Sequence, residues 1–124
     1  MKKRILLAED NEETLEVAQK QLELLGYEVV VARNGVEAVE KASSELPDLI
    51  VLDVSMPVMD GLQAATQIKA NSRTQSIPIL AATARAVSGD RERCLASGCD
   101  AYLAKPFTHR VLGAEIKKLL NDSS

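Results

Sequence analysis

The chain has 124 residues, 46% hydrophobic and 27% charged, enough for one domain with its own core and too apolar to remain disordered. Aromatic residues are only 2% and the net charge is −3, which argues against a basic nucleic-acid-binding face or an aromatic stack for bases. No apolar run reaches membrane-spanning length, and Ile5 to Ala8, bounded by Arg4 and Glu9, is too short for a signal-peptide core.

Apolar runs alternate with amphipathic stretches along the chain. Arg4–Ala8 predicts a first strand, followed by Leu15, Ala18, Leu22 and Leu25 at helical spacing. Glu28–Val31 predicts the second strand. Val36, Val39 and Ala42 then mark a helix opened by Asn34, with Glu37 three residues on as a capping box. Leu49–Leu52 and Ile77–Ala81 predict the third and fourth strands, with Leu62, Ala65 and Ile68 on the helix between them. A fourth helix stops at Gly98, Ala101–Leu103 predicts the fifth strand, and Leu112, Ile116, Leu119 and Leu120 lie on the last helix. Gly26 and Gly98 suit left-handed helix ends, and Pro47 and Pro78 stand beside strand starts.

The strand runs lack polar alternation, so most are expected to be covered on both faces, as in a parallel sheet. Strand–helix alternation of this kind predicts right-handed crossovers and a doubly wound α/β fold. Residues 1–124 read as one domain without repeats or linkers, with no room for an output domain after the last helix. Cys94 and Cys99, five apart, fit neither a CxxC nor a zinc pattern and are expected to be reduced thiols in a cytoplasmic protein.

In an open α/β sheet, sites form beyond the carboxyl ends of the strands. Those ends carry Glu9 and Asp10, Arg33 and Asn34, Asp53, Thr83, and Lys105. Each alone has an ordinary explanation: Glu9-Asp10-Asn11 as a helix cap, Asp53 as a turn former, Thr83 as a loop hydroxyl, Lys105 as a solvated charge. Their coincidence on one edge favours a site. Two carboxylates roughly 5 Å apart repel by on the order of 3 kcal/mol at an effective dielectric of about 20. One lysine cannot neutralise three acids, so a divalent ion completes the cluster. All-oxygen ligands favour Mg²⁺ or Mn²⁺ over zinc.

These residues fall in four ordered motifs: Ile5-Leu6-Leu7-Ala8-Glu9-Asp10-Asn11, the run Pro47 to Gly61 around Asp53, Ile79-Leu80-Ala81-Ala82-Thr83-Ala84, and Ala101-Tyr102-Leu103-Ala104-Lys105-Pro106-Phe107. Over essentially its whole length the chain resembles the receiver domains of bacterial two-component and phosphorelay systems. The resemblance implies a flavodoxin-like five-stranded parallel sheet in the order 2-1-3-4-5. It implies that Asp53 accepts a phosphoryl group from phosphohistidine on a sensor kinase or phosphotransfer protein. Glu9 (through water), Asp10, Asp53 and the Ser55 carbonyl would hold the metal, and Lys105 would pair with Asp53 and then with the phosphoryl oxygens. Thr83 and Tyr102 resemble a switch pair that changes binding of a downstream protein. A cis Lys105–Pro106 bond and a loop shaped by Pro57 and Gly61 are further implications, with Ser55 and Arg85 setting the lifetime of the phosphorylated state. His109 reads as a solvated surface residue.

On this reading the chain is a regulatory phosphoacceptor that catalyses only its own phosphorylation and dephosphorylation, with no nucleic-acid or membrane partner. The alternatives weaken on particular residues. An aspartyl-nucleophile phosphatase of the haloacid-dehalogenase type resembles Asp-x-Asp, and Ser55 stands where its acid would be. A flavodoxin-like cofactor binder would carry a Ser/Thr/Gly-rich phosphate loop where Glu9, Asp10, Glu12 and Glu13 stand. A receiver-shaped module that is never phosphorylated is disfavoured by Asp53, Thr83 and Lys105 together. The stretch Gly89 to Asp100 resembles both stand-alone receivers of the DivK type and receivers of hybrid kinases; the initiator Met leans toward the former.

Overall fold

The computed structural model describes residues 2–53, 61–83, 90–105 and 107–120. Five strands, β1 (Arg4–Ala8), β2 (Glu28–Ala32), β3 (Leu49–Asp53), β4 (Ile79–Thr83) and β5 (Ala101–Ala104), alternate with five helices. The helices are α1 (Glu12–Leu24), α2 (Gly35–Glu45), α3 (Gly61–Ala70), α4 (Asp90–Ala96) and α5 (His109–Leu119). All strand pairs are parallel, in the order β2-β1-β3-β4-β5, so the expected doubly wound sheet is present.

The pleat sorts each apolar run between two cores. Leu6, Ala8, Ile50, Leu52, Ile79 and Ala81 meet buried residues of α2, α3 and α4. Their neighbours Ile5, Leu7, Leu49, Val51 and Leu80 meet Leu15, Leu22, Leu112 and Ile116 of α1 and α5. A strand feeding both cores is apolar throughout, which explains the unbroken runs of β1, β3 and β4. The edge strands differ: β2 is mostly half-buried and β5 entirely so, because each lacks a neighbour on one side.

The helix caps follow the sequence, except that only the Asn34 half of the expected capping box forms. The Asn34 side chain accepts from the Glu37 N–H at 2.8 Å, while the Glu37 carboxylate pairs with Lys41 at 3.0 Å. Asn11 and Thr108 cap α1 and α5 in the same way. Gly26 and Gly98 adopt φ of +96° and +104° after α1 and α4, as their C-cap reading requires. Helix α2 ends differently, on Leu46 at φ +45°, an uncommon conformation for a leucine. Boundaries also shift. β4 starts at Ile79 rather than Ile77, and β2, β3, β4 and β5 run further than the apolar runs suggest. Asp53 and Thr83 are thus the last residues of strands, not loop residues beyond them.

Candidate functional site

The side-chain parity that builds the two cores also builds the site. Glu9, Asp53 and Lys105 continue the rows Ile5-Leu7, Leu49-Val51 and Ala101-Leu103, all of which face α1 and α5. The ladder carries the backbone one residue past β1 and β5: Glu9 N–H donates to the Ala32 carbonyl at 3.0 Å and Lys105 N–H to the Thr83 carbonyl at 2.8 Å. Register places Ala8 beside Leu52, Asp53 beside Ala82 and Thr83 beside Ala104. Residues distant in sequence are therefore held to one edge by continuous sheet hydrogen bonding.

Glu9, Asp10 and Asp53 each offer a carboxylate oxygen, and these oxygens lie within 4.8 Å of one another. Glu9 and Asp53 are buried, whereas Asp10, beyond the end of β1, is exposed. Lys105 Nζ lies 2.5 Å from Glu9 Oε1 and 3.7 Å from Asp53 Oδ1. The sequence reading pairs Lys105 with Asp53; in the structure its close contact is Glu9, whose longer side chain reaches the ammonium. The other Glu9 oxygen accepts from the Asn11 N–H at 3.2 Å, so Glu9 also fixes the turn into α1. This oxygen-only donor set suits a hard divalent cation.

Thr83 and Tyr102 fall on the opposite parity. Thr83 is 1% exposed and continues the row Ile79-Ala81, while Tyr102 is half-buried against the core shared by α2, α3 and α4. The pleat thus separates the acidic cluster from the expected switch pair, with Thr83 joined to Lys105 through the backbone. Gly61 is buried as the first residue of α3, and His109 is exposed at the start of α5. Ser55, Pro57, Arg85 and Pro106 lie outside the described residues.

Two features were not legible in the sequence. An apolar cavity of about 400 Å³ runs from Asp53 and Lys105 between α1 and Phe107, with Val17 and Ala18 on its wall. Its walls come from α1, the strand ends and Phe107, which meet only in the folded chain. Arg33 reaches across to Glu12 at 2.6 Å. That hydrogen bond, and then the Arg33 charge, hold the Glu12 carboxyl below the usual carboxylate range.

Residues 5–117 match the response regulator receiver domain family. The chain belongs to that family. This receiver is 37% identical to the polar-differentiation response regulator DivK of Brucella anthropi, over 99% of this chain and 100% of DivK. It is also similar to the receiver domain of a Pseudomonas aeruginosa sensor histidine kinase, with a TM-score of 0.92 and 38% identity over 98% of this chain and 99% of the other. That domain was crystallised with a magnesium ion coordinated in its active-site cleft. The chemotaxis protein CheY4 of Vibrio cholerae gives a TM-score of 0.89 at 28% identity, over 96% and 99% of the two chains. The receiver reading of the four motifs and the strand order are borne out, and the phosphatase and cofactor-binder alternatives are not favoured. The protein is a receiver of phosphorylation-dependent two-component signalling. Among the described residues no helix is long and apolar enough to cross a membrane.

Proposed function

We propose that Asp53 takes a phosphoryl group from a phosphohistidine on a sensor kinase or phosphotransfer protein. The P–N bond breaks as a bond forms from phosphorus to an Asp53 carboxylate oxygen. The observation that carries this reading is three carboxylates within 4.8 Å with Lys105 between two of them. Such a site does little covalent work of its own; it positions the acceptor and offsets charge on the group in transfer. Glu9, Asp10, Asp53 and the Ser55 carbonyl would hold Mg²⁺, which when bound supplies charge neutralisation for the phosphoryl oxygens. Lys105 serves the same end from the other side, and the buried Thr83 hydroxyl is the donor that reads the modification.

Thr83 and Tyr102 sit on the α4 side of the sheet, so a shift of Thr83 toward the phosphoryl group alters the packing beside Tyr102. That change is the output read by a downstream protein. The chain acts as a single-domain cytoplasmic regulator, residues 1–124, catalysing only its own phosphorylation and dephosphorylation. The match over 100% of DivK is the observation that supports the single-domain context.

The test is incubation with acetyl phosphate and Mg²⁺ followed by intact-mass measurement. A single phosphate adduct is expected, absent in Asp53→Asn and in the presence of a chelator. An adduct that persists in Asp53→Asn, or none with any phosphodonor, overturns the proposal.

A further inference from the structure

The two cysteines lie outside the acidic cluster and take no part in its chemistry. Cys94 is in the final turns of α4, and Cys99 precedes β5. Between them the chain turns through Gly98 at φ +104°, and the Cys99 N–H donates to the Cys94 carbonyl at 3.1 Å. This is the helix-ending wrap in which a residue beyond the helix packs on one in its last turn. Here both partners are cysteines.

Bond lengths across that hydrogen bond keep the two Cα atoms within about 7 Å, the span a disulfide can bridge. Both side chains enter the same apolar core. We propose that Cys94 and Cys99 form an oxidisable dithiol site, which a small-molecule disulfide such as oxidised glutathione converts to an internal disulfide stapling the end of α4.

One cysteine, losing its proton to solvent, attacks oxidised glutathione, forms a protein–glutathione disulfide and expels one glutathione thiolate. The second cysteine, also losing its proton, attacks the protein sulfur of that bond and expels the other glutathione. The two cysteines lose two electrons and two protons; the oxidant gains them as two glutathione thiols. Access sets the rate, since Cys94 and Cys99 are 1% and 5% exposed. Burial, then the neighbouring Cys94, push the Cys99 thiol up to about 12, so the closed turn holds almost no thiolate. Oxidation therefore follows opening of the α4 turn. Tyr102 packs against the same core, so the staple restrains the face between α4 and β5.

The full chain is incubated with oxidised glutathione at pH 8 and followed by intact mass and peptide mapping. The expected product is a monomer about 2 Da lighter, linked between Cys94 and Cys99 and restored by dithiothreitol. Cys94→Ser and Cys99→Ser should each keep a glutathione adduct instead. In Gly98→Ala the new Cβ would lie 2.8 Å from Lys69 Cγ at a positive φ, so the turn opens more often and oxidation should be on the order of tenfold faster. Asp100→Asn weakens the contacts of Asp100 with Lys69 and the Ile79 N–H, and supplies the same comparison if Gly98→Ala does not fold. A covalent dimer, a lasting glutathione adduct on the unmodified sequence, no mass loss, or unchanged rates in both turn variants overturns the proposal.

Discussion

Replacing Lys105 with Met keeps a linear stem and removes the only cation seen against the buried acids among the described residues. With Nζ 2.5 Å from Glu9 and 3.7 Å from Asp53, the two attractions are roughly 7 and 4 kcal/mol at an effective dielectric of about 20. Desolvation offsets much of this, and the Lys105 side chain is 19% exposed. The net loss on truncation is therefore about 2–3 kcal/mol, below the range for a fully buried pair. What remains is three carboxylates within 4.8 Å with less positive charge to offset their repulsion. An ion that binds only the folded state relieves that repulsion and stabilises by mass action. Urea unfolding of both proteins, followed by circular dichroism, measures the effect with chelator and with saturating Mg²⁺. The gap should be about 2–3 kcal/mol with chelator and under about 1 kcal/mol with Mg²⁺. An equal gap under both conditions refutes the idea that Lys105 and the ion neutralise the same charges.

Leu46→Gly should stabilise the fold by about 0.5–1 kcal/mol in urea unfolding. Left-handed strain of about 1–2 kcal/mol is relieved at φ +45°, partly offset by the added freedom of glycine in the unfolded chain. A clear loss of stability would contradict this. Cys99 makes stability fall at alkaline pH. Its folded thiol titrates at about 12 against an ordinary 9.0, so the unfolded chain releases the proton first and stability is lost as pH rises between those values. At pH 10.5 under reducing conditions this slope amounts to at most about 2 kcal/mol relative to pH 8.5, and Cys99→Ala should remove it. Parallel pH profiles for the two proteins would count against the thiol as its source.

The polar residues of the site were legible because each stands at the end of an apolar run, where a doubly wound sheet places its chemistry. Asp10, Asp53, Thr83 and Lys105 could be marked without knowing the strand order. Boundaries were less legible. Asp53 and Thr83 look like loop residues because polarity interrupts the run, yet sheet hydrogen bonding extends through them. The half-buried edges β2 and β5 were also hidden, since composition does not say which strand lacks a neighbour.

Sequence alone determined the alternation of strands and helices, the caps at Asn34 and Gly98, and the acids and lysine at the strand ends. These depend on local conformational preference and on the period of apolar residues, both written in neighbouring positions. Tertiary structure decided which of those residues meet. Glu9, Asp53 and Lys105 share one pleat parity across three strands, while Thr83 and Tyr102 share the other. It also gave Lys105 to Glu9 at 2.5 Å in preference to Asp53 at 3.7 Å. Partners of that kind depend on register, twist and side-chain reach between strands far apart in the chain, and no local pattern encodes the distance.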